Sequence, residues 1–162
     1  MKIRPVAVAA ALALASASAL AVGPGNLGAI DNMPITVGNS VPGPLLFDVY
    51  TFSLVNPGFL SGIAASLELP SVLGLAGFSV VLQDASFTTI GTDTNPADGF
   101  MFSGLSAGSY ALTFVGLTTG SLGGSYGGAI LAQTIPEPET YALMLAGLAA
   151  VGFVAMRRRV RG

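Results

Sequence analysis

The chain has no cysteine, no histidine and no tryptophan, and between Pro5 and Met156 it has no lysine or arginine either. Without cysteine there is no disulfide framework and no thiolate chemistry. A secreted domain of this size can dispense with disulfides when its core is adequate. Without a cation the body forms no internal salt bridge and has nothing to set against phosphates, which excludes nucleic acid as a partner. The six basic residues, Lys2, Arg4, Arg157, Arg158, Arg159 and Arg161, sit at the two ends, while all eight acids (Asp31, Asp48, Glu68, Asp84, Asp93, Asp98, Glu137 and Glu139) lie between them. Charged residues make up only 9% of the chain, against roughly 25% in an ordinary domain.

The same gaps bear on catalysis. Acid–base and nucleophilic chemistry lean on His, Cys, Lys or paired carboxylates, and the body retains only scattered carboxylates. A glycosidase needs two of these across a cleft, but neither Trp nor any cation is present to hold a sugar. The expectation is a protein that is not an enzyme. The Gly-rich run Gly120–Gly128 lacks the Gly-Lys-Ser/Thr ending of a phosphate loop and reads as a flexible hairpin.

What is present begins with two terminal signals. Met1-Lys2-Ile3-Arg4 is a basic start, Pro5 to Leu20 is an Ala-rich apolar run, and small residues follow at Ala17-Ser18-Ala19 and Ala19-Leu20-Ala21. This is the layout of a secretory signal peptide over residues 1–21, with cleavage after Ala21 or, as second choice, after Ala19. At the other end, Pro136-Glu137-Pro138 precedes a charge-free run of 17 residues, Thr140 to Met156, and then Arg157, Arg158, Arg159 and Arg161. About 17–25 apolar residues cross a bilayer, and an Arg cluster holds its end on the cytoplasmic side. A single transmembrane helix over 140–156, entering from outside, is expected, with a basic stop-transfer tail over 157–161. Pro136 and Pro138 favour an extended chain around Glu137, the form a protease needs.

These three parts, in this order, resemble the PEP-CTERM sorting domain of Gram-negative bacteria over residues 135–161. The resemblance implies a partner, an exosortase-type membrane transpeptidase. That enzyme would cut near the Pro-Glu-Pro and pass the body from the inner membrane to the cell surface or extracellular matrix. It also implies a pathway that accompanies exopolysaccharide.

Between the signals, residues 22–44 are rich in Gly, Pro and Asn and read largely as an irregular lead-in, with a short strand near Met33–Val37. From there period-two alternation takes over. Phe47–Leu54 puts Asp48, Tyr50, Phe52 and Leu54 on one face. Phe59–Leu69 aligns Ile63, Ala65, Leu67 and Leu69. Leu75–Gln83 and Ala85–Ile90 read as a hairpin pair, followed by Phe100–Phe102, Tyr110–Val115 and Ser125–Ala132. Short strands separated by Gly, Asn, Asp and Pro predict an all-β fold, an antiparallel jelly-roll-like β-sandwich over residues 45–134.

This body resembles the FxDxF-type PEP-CTERM family through Asp48-Val49-Tyr50-Thr51-Phe52-Ser53-Leu54, Leu105-Ser106-Ala107-Gly108-Ser109-Tyr110 and Tyr126-Gly127-Gly128. Asp48, Tyr50 and Phe52 carry the family motif by residue type, with Leu46 and Tyr50 standing where the family has Phe. The layout is also similar to the small jelly-roll domains that follow the catalytic domain of some secreted peptidases.

Two polar features invite a choice. Asp93, Asn95 and Asp98 offer hard oxygens suited to Ca²⁺, the one candidate cofactor. The competing reading is a polar turn built on Asx chemistry. Asp48, on an aromatic-bearing face with no cation to pair with, must find neutral donors, and reads as a structural anchor rather than a ligand. The combined expectation is an exported surface or matrix protein, structural or adhesive. The alternatives are a module binding polysaccharide or Ca²⁺, and a permanently anchored periplasmic protein.

Overall fold

In the computed structural model, residues 21–134 and 138–159 are described. The expected signal peptide thus lies outside the described residues except for Ala21, and Pro136, Glu137 and Arg161 lie outside them as well. Within the C-terminal helix, the side chains of residues 138–140, 153–155 and 157–159 also lie outside them.

The strands are β1 Gly25–Ala29, β2 Ile35–Val41, β3 Leu45–Leu54, β4 Gly58–Ser66, β5 Leu75–Asp84, β6 Thr89–Asp93, β7 Phe100–Leu105, β8 Gly108–Thr118 and β9 Gly124–Thr134. They form a five-stranded sheet in the order β1-β3-β8-β5-β6 and a four-stranded sheet in the order β2-β9-β4-β7. The pairings are nested: β2 with β9, β3 with β8, β4 with β7 and β5 with β6, all antiparallel. This is the topology of a jelly roll, with β1 added to one edge. A helix, α1, follows over Pro138–Arg159.

The stretch expected to be largely irregular carries, besides β2 at the short strand expected near Met33–Val37, a second strand, β1. Val22 bridges Val37 of β2, and β1 then runs parallel to β3, with Gly25 opposite Tyr50 and Asn26 opposite Thr51. The N-terminal segment therefore crosses from one sheet to the other. It carries no alternation because Gly, Asn and Pro dominate it; backbone pairing holds it, with Leu27 packed on the core and Ile30 buried in it.

β3 alternates as its sequence predicts. Leu46, Asp48, Tyr50, Phe52 and Leu54 are buried while Leu45, Phe47 and Thr51 are exposed. In β4 the expected face is reversed. Leu60 and Ala64 are buried and Ile63 is exposed, because Phe100 lies over Gly62, where a Cβ would meet its ring at 2.5 Å. The aromatic ring fills the space that the small residues leave. The β5–β6 hairpin forms, but residues 85–88 are the turn and the second strand starts at Thr89.

Among the described residues, the buried core is one cluster running from Ile30 to Ala132. Its centre is aromatic: Phe114 meets Tyr126 at 5.0 Å and Tyr50 edge-on at 5.8 Å, and Phe78 closes on Tyr126 at 5.4 Å. Each such side chain contributes about 1.5–3 kcal/mol on burial. At the crossing from β7 to β8, the Tyr110 hydroxyl donates to the Ser106 carbonyl at 2.8 Å, while its ring stacks on Phe52 at 5.7 Å. This is a tyrosine corner, and it gives the Leu105–Tyr110 motif its physical meaning. The glycine-rich run divides: residues 120–123 turn, and Gly124–Gly128 belong to β9. A Cβ at Gly128 would run into Ile63 and Ala64, so that glycine is required by close strand packing.

Candidate functional site

The tail is the first candidate. α1 begins at Pro138, and its described side chains, Tyr141 to Gly152 and Met156, are exposed. They do not pack on the sandwich. Among the described residues, no helix is long and apolar enough to cross a membrane. Arg157, Arg158 and Arg159 fall in the last turn of α1.

The second candidate is the polar centre of the sandwich. Asp48, Tyr50 and Phe52 all point inward from β3, at 5%, 0% and 3% exposure. The Tyr50 hydroxyl accepts from Gly38 N at 3.2 Å, donates to the Val22 carbonyl at 3.2 Å and meets the Tyr126 hydroxyl at 2.9 Å. Asn39 Nδ2 donates to Asp48 Oδ1 at 3.2 Å, while Asp48 Oδ2 has no partner among the described residues. Nearby, Ser40 and Ser125 join hydroxyls at 2.8 Å. Burial pushes both phenols above their ordinary value. For Tyr126, the hydrogen bond to Tyr50 and the neighbouring Asp48 carboxylate push the same way. For Tyr50, the bonds to Tyr126 and Gly38 partly offset burial. These hydroxyls stay protonated, and the Tyr50 hydroxyl ties Val22 of the N-terminal segment to the centre of the sandwich.

The third candidate is the loop after β6. Asp93 Oδ1 accepts from Asn95 N at 2.8 Å, and Asp98 Oδ2 accepts from Asn95 Nδ2 at 2.8 Å. Pro96–Asp98 forms a short 3₁₀ turn. The three residues come together, but as donor and acceptors of a turn, with the Asn95 amide nitrogen turned towards Asp98. Among the described residues, no group of three or more His, Cys, Asp or Glu is placed to hold a metal.

One rule covers all the described acids of the body. With no cation available, each carboxylate is met by neutral donors. Asp31 takes Asn32 Nδ2 at 2.6 Å, Glu68 takes Ser66 Oγ at 2.7 Å and Leu75 N at 3.1 Å, and Asp84 takes the amides of Ser86 and Thr88 at 2.8 and 2.9 Å. Sequence reasoning missed the roles of Glu68 and Asp84, although an acid flanking a turn is the signal for such a cap.

Comparison with known proteins places the tail. Residues 134–159 match the family model described as the PEP-CTERM protein-sorting motif. That motif supports exosortase-type sorting of an exported protein. Two solved structures are similar to the body. The pre-peptidase C-terminal domain of a collagenase from Bacillus anthracis is 17% identical, with a TM-score of 0.45 over 67% of this chain and 97% of that one. The Aeromonas hydrophila PliG, a periplasmic inhibitor of g-type lysozyme, is 11% identical, with a TM-score of 0.41 over 67% of this chain and 100% of that one. At these scores neither likeness speaks to what the body binds. No curated protein matches the chain.

Proposed function

We propose that this is an exported, non-enzymatic surface or matrix protein whose jelly-roll body is delivered by its tail. The observation that carries the reading is the sorting-motif match over residues 134–159, read with the basic start and small-residue signature of residues 1–21. In this account the run Thr140–Met156, taken whole, crosses the inner membrane within α1. At a rise of 1.5 Å per residue it covers about 25 Å, most of the hydrocarbon thickness of about 30 Å. Arg157, Arg158, Arg159 and Arg161 stop it on the cytoplasmic side, where their transfer cost is avoided. Pro136-Glu137-Pro138 lies just outside, where an exosortase-type transpeptidase cuts and releases the body. The body then serves a structural or adhesive role alongside exopolysaccharide. A body with no His, Cys, Lys or Arg supports a role other than catalysis.

The test is the intact mass of the mature protein from fractionated native cells. A species lacking both Met1–Ala21 and everything after Pro136–Pro138, found outside the inner membrane, is the expected result. A species that keeps Arg157–Arg161 and stays in the inner membrane would sink the sorting reading and leave an anchored periplasmic domain.

A further inference from the structure

The chain leaves the sandwich towards the tail at one end, and three loops at that end each hold a large apolar side chain out in solvent. Thr134 stands opposite Gly58 and Gly58 opposite Leu105. In the other sheet Leu54 stands opposite Gly108 and Asp84 opposite Tyr110. The loops 30–34, 55–57, 85–88 and 106–107 therefore lie at the same end as the exit. The first is fastened to it: the Asn32 backbone N–H donates to the Ala132 carbonyl at 2.8 Å, and its Nδ2 to Thr134 Oγ1 at 3.4 Å. Met33, Val55 and Phe87, on three of these loops, are 72%, 64% and 70% exposed. We propose that these three side chains seat this end of the body on the lipid headgroups of the membrane that the tail enters.

The tether selects lipid as the occupant. α1 begins at Pro138, four residues after Thr134, and four residues span at most about 14 Å. With Thr140–Met156 in the bilayer, this end of the body stays within that reach of the membrane surface. Leu122 is as exposed, at 68%, but it lies at the opposite end of strands of 11 residues, about 35 Å away at 3.3 Å per residue. Phe87 supplies a separate sign. Its φ of 61° is in the left-handed region, where a bulky side chain is strained and glycine is favoured. The turn is fixed by Asp84, whose Oδ1 accepts from the amides of Ser86 and Thr88. A strained aromatic held at a solvent-facing tip points to use rather than to folding. Asp31 and Asp84 lie at the same end, and the body has no cation, so the surface that fits is zwitterionic rather than anionic. Three loop side chains alone hold a membrane reversibly. Joined to the span they keep the body seated, and once the chain is cut between body and span the same contact lets go. This inference rests on the reading of Thr140–Met156 as the membrane span.

The cysteine-free sequence allows a single label to read the contact. The full chain is reconstituted in phosphatidylcholine vesicles carrying a nitroxide quencher on the headgroup. A fluorophore on Ala107→Cys, in the fourth loop of this end, is expected to be quenched at least about threefold more than one on Leu122→Cys, which the strand length holds outside the lipid. Adding Met33→Ser and Phe87→Gly to Ala107→Cys is expected to bring quenching down to the level of Leu122→Cys. The urea midpoint of unfolding is expected to be no lower, because glycine relieves the turn. Flotation after an alkaline wash reads the span separately: the chain is expected to float with the vesicles, and Leu145→Arg with Leu148→Arg is expected not to. Equal quenching at positions 107 and 122 in a chain that floats overturns the docking, leaves the span standing and assigns these loops to a protein partner. Quenching at 107 that survives Met33→Ser and Phe87→Gly shows nearness without contact and overturns it too. Flotation unchanged by the two arginines, or absent from the start, overturns the span and this inference with it.

Discussion

The phenolic oxygens of Tyr50 and Tyr126 stand 2.9 Å apart, one carried by each sheet, so this hydrogen bond joins the two layers at the centre of the sandwich, beside those from Gly38 N to Tyr50 and from Asn39 to Asp48. Its strength depends on both phenols keeping at least one proton between them, and burial raises both above the ordinary value of 10.0. Above about pH 10 the unfolded chain gives up these protons while the folded chain retains them. The unfolded state then binds fewer protons, and stability falls as pH rises. The stabilisation is complete below pH 10 and declines above it, by about 1.4 kcal/mol per pH unit for each phenol involved. Urea denaturation between pH 8 and pH 11 checks this. The decline is expected to be shallower in Tyr126→Phe than in wild type.

Tyr50→Phe keeps the ring against Phe114 and removes three contacts at once: from Gly38 N, to the Val22 carbonyl and with Tyr126. The expected cost is about 1–3 kcal/mol, the loss of buried hydrogen bonds with their partners left behind. The loss should be local first. Hydrogen exchange at Val22 and at the amides of β1 is expected to quicken more than at β8. Uniform quickening throughout would show that the N-terminal segment is not tied down through this hydroxyl.

Asp48→Asn bears on the unpaired Oδ2 of Asp48. The amide keeps an acceptor for Asn39 and replaces an orphan oxygen with a donor. A gain of about 1 kcal/mol at pH 7 is expected by chemical denaturation, since a neutral amide costs less to bury than a carboxylate with no cation beside it. A loss of similar size would mean that the carboxylate accepts a hydrogen bond, as from the neighbouring Tyr126 hydroxyl, that the amide cannot replace.

Much of the fold was legible because burial here follows period two. β3 announced itself through Asp48, Tyr50, Phe52 and Leu54, and β8 through Tyr110, Leu112 and Phe114, since large side chains on one face leave no other arrangement. β1 was not legible, because its hold on β3 is a backbone ladder that Gly25-Asn26-Leu27-Gly28 does not advertise. The face of β4 was misread for a related reason. Gly62 and Ala64 are inward yet small, and the Phe100 ring that fills their place comes from a strand distant in sequence. The motif residues Asp48 and Tyr50 were found, but their partners Val22, Gly38, Asn39 and Tyr126 come from three segments that only the topology brings together.

The nested pairing sets an order of events. β5 and β6 are neighbours in sequence and can close early, whereas β2 must wait for β9, 95 residues later by the pairing of Ile35 with Ile130. Contacts so far apart in the chain form late, because the loop between them must be closed first. β9 ends at Thr134 and α1 begins at Pro138. The last strand needed to seal the roll is therefore made only just before the helix, and a chain stalled before Gly124 would leave β2 and β4 without the strand that lies between them.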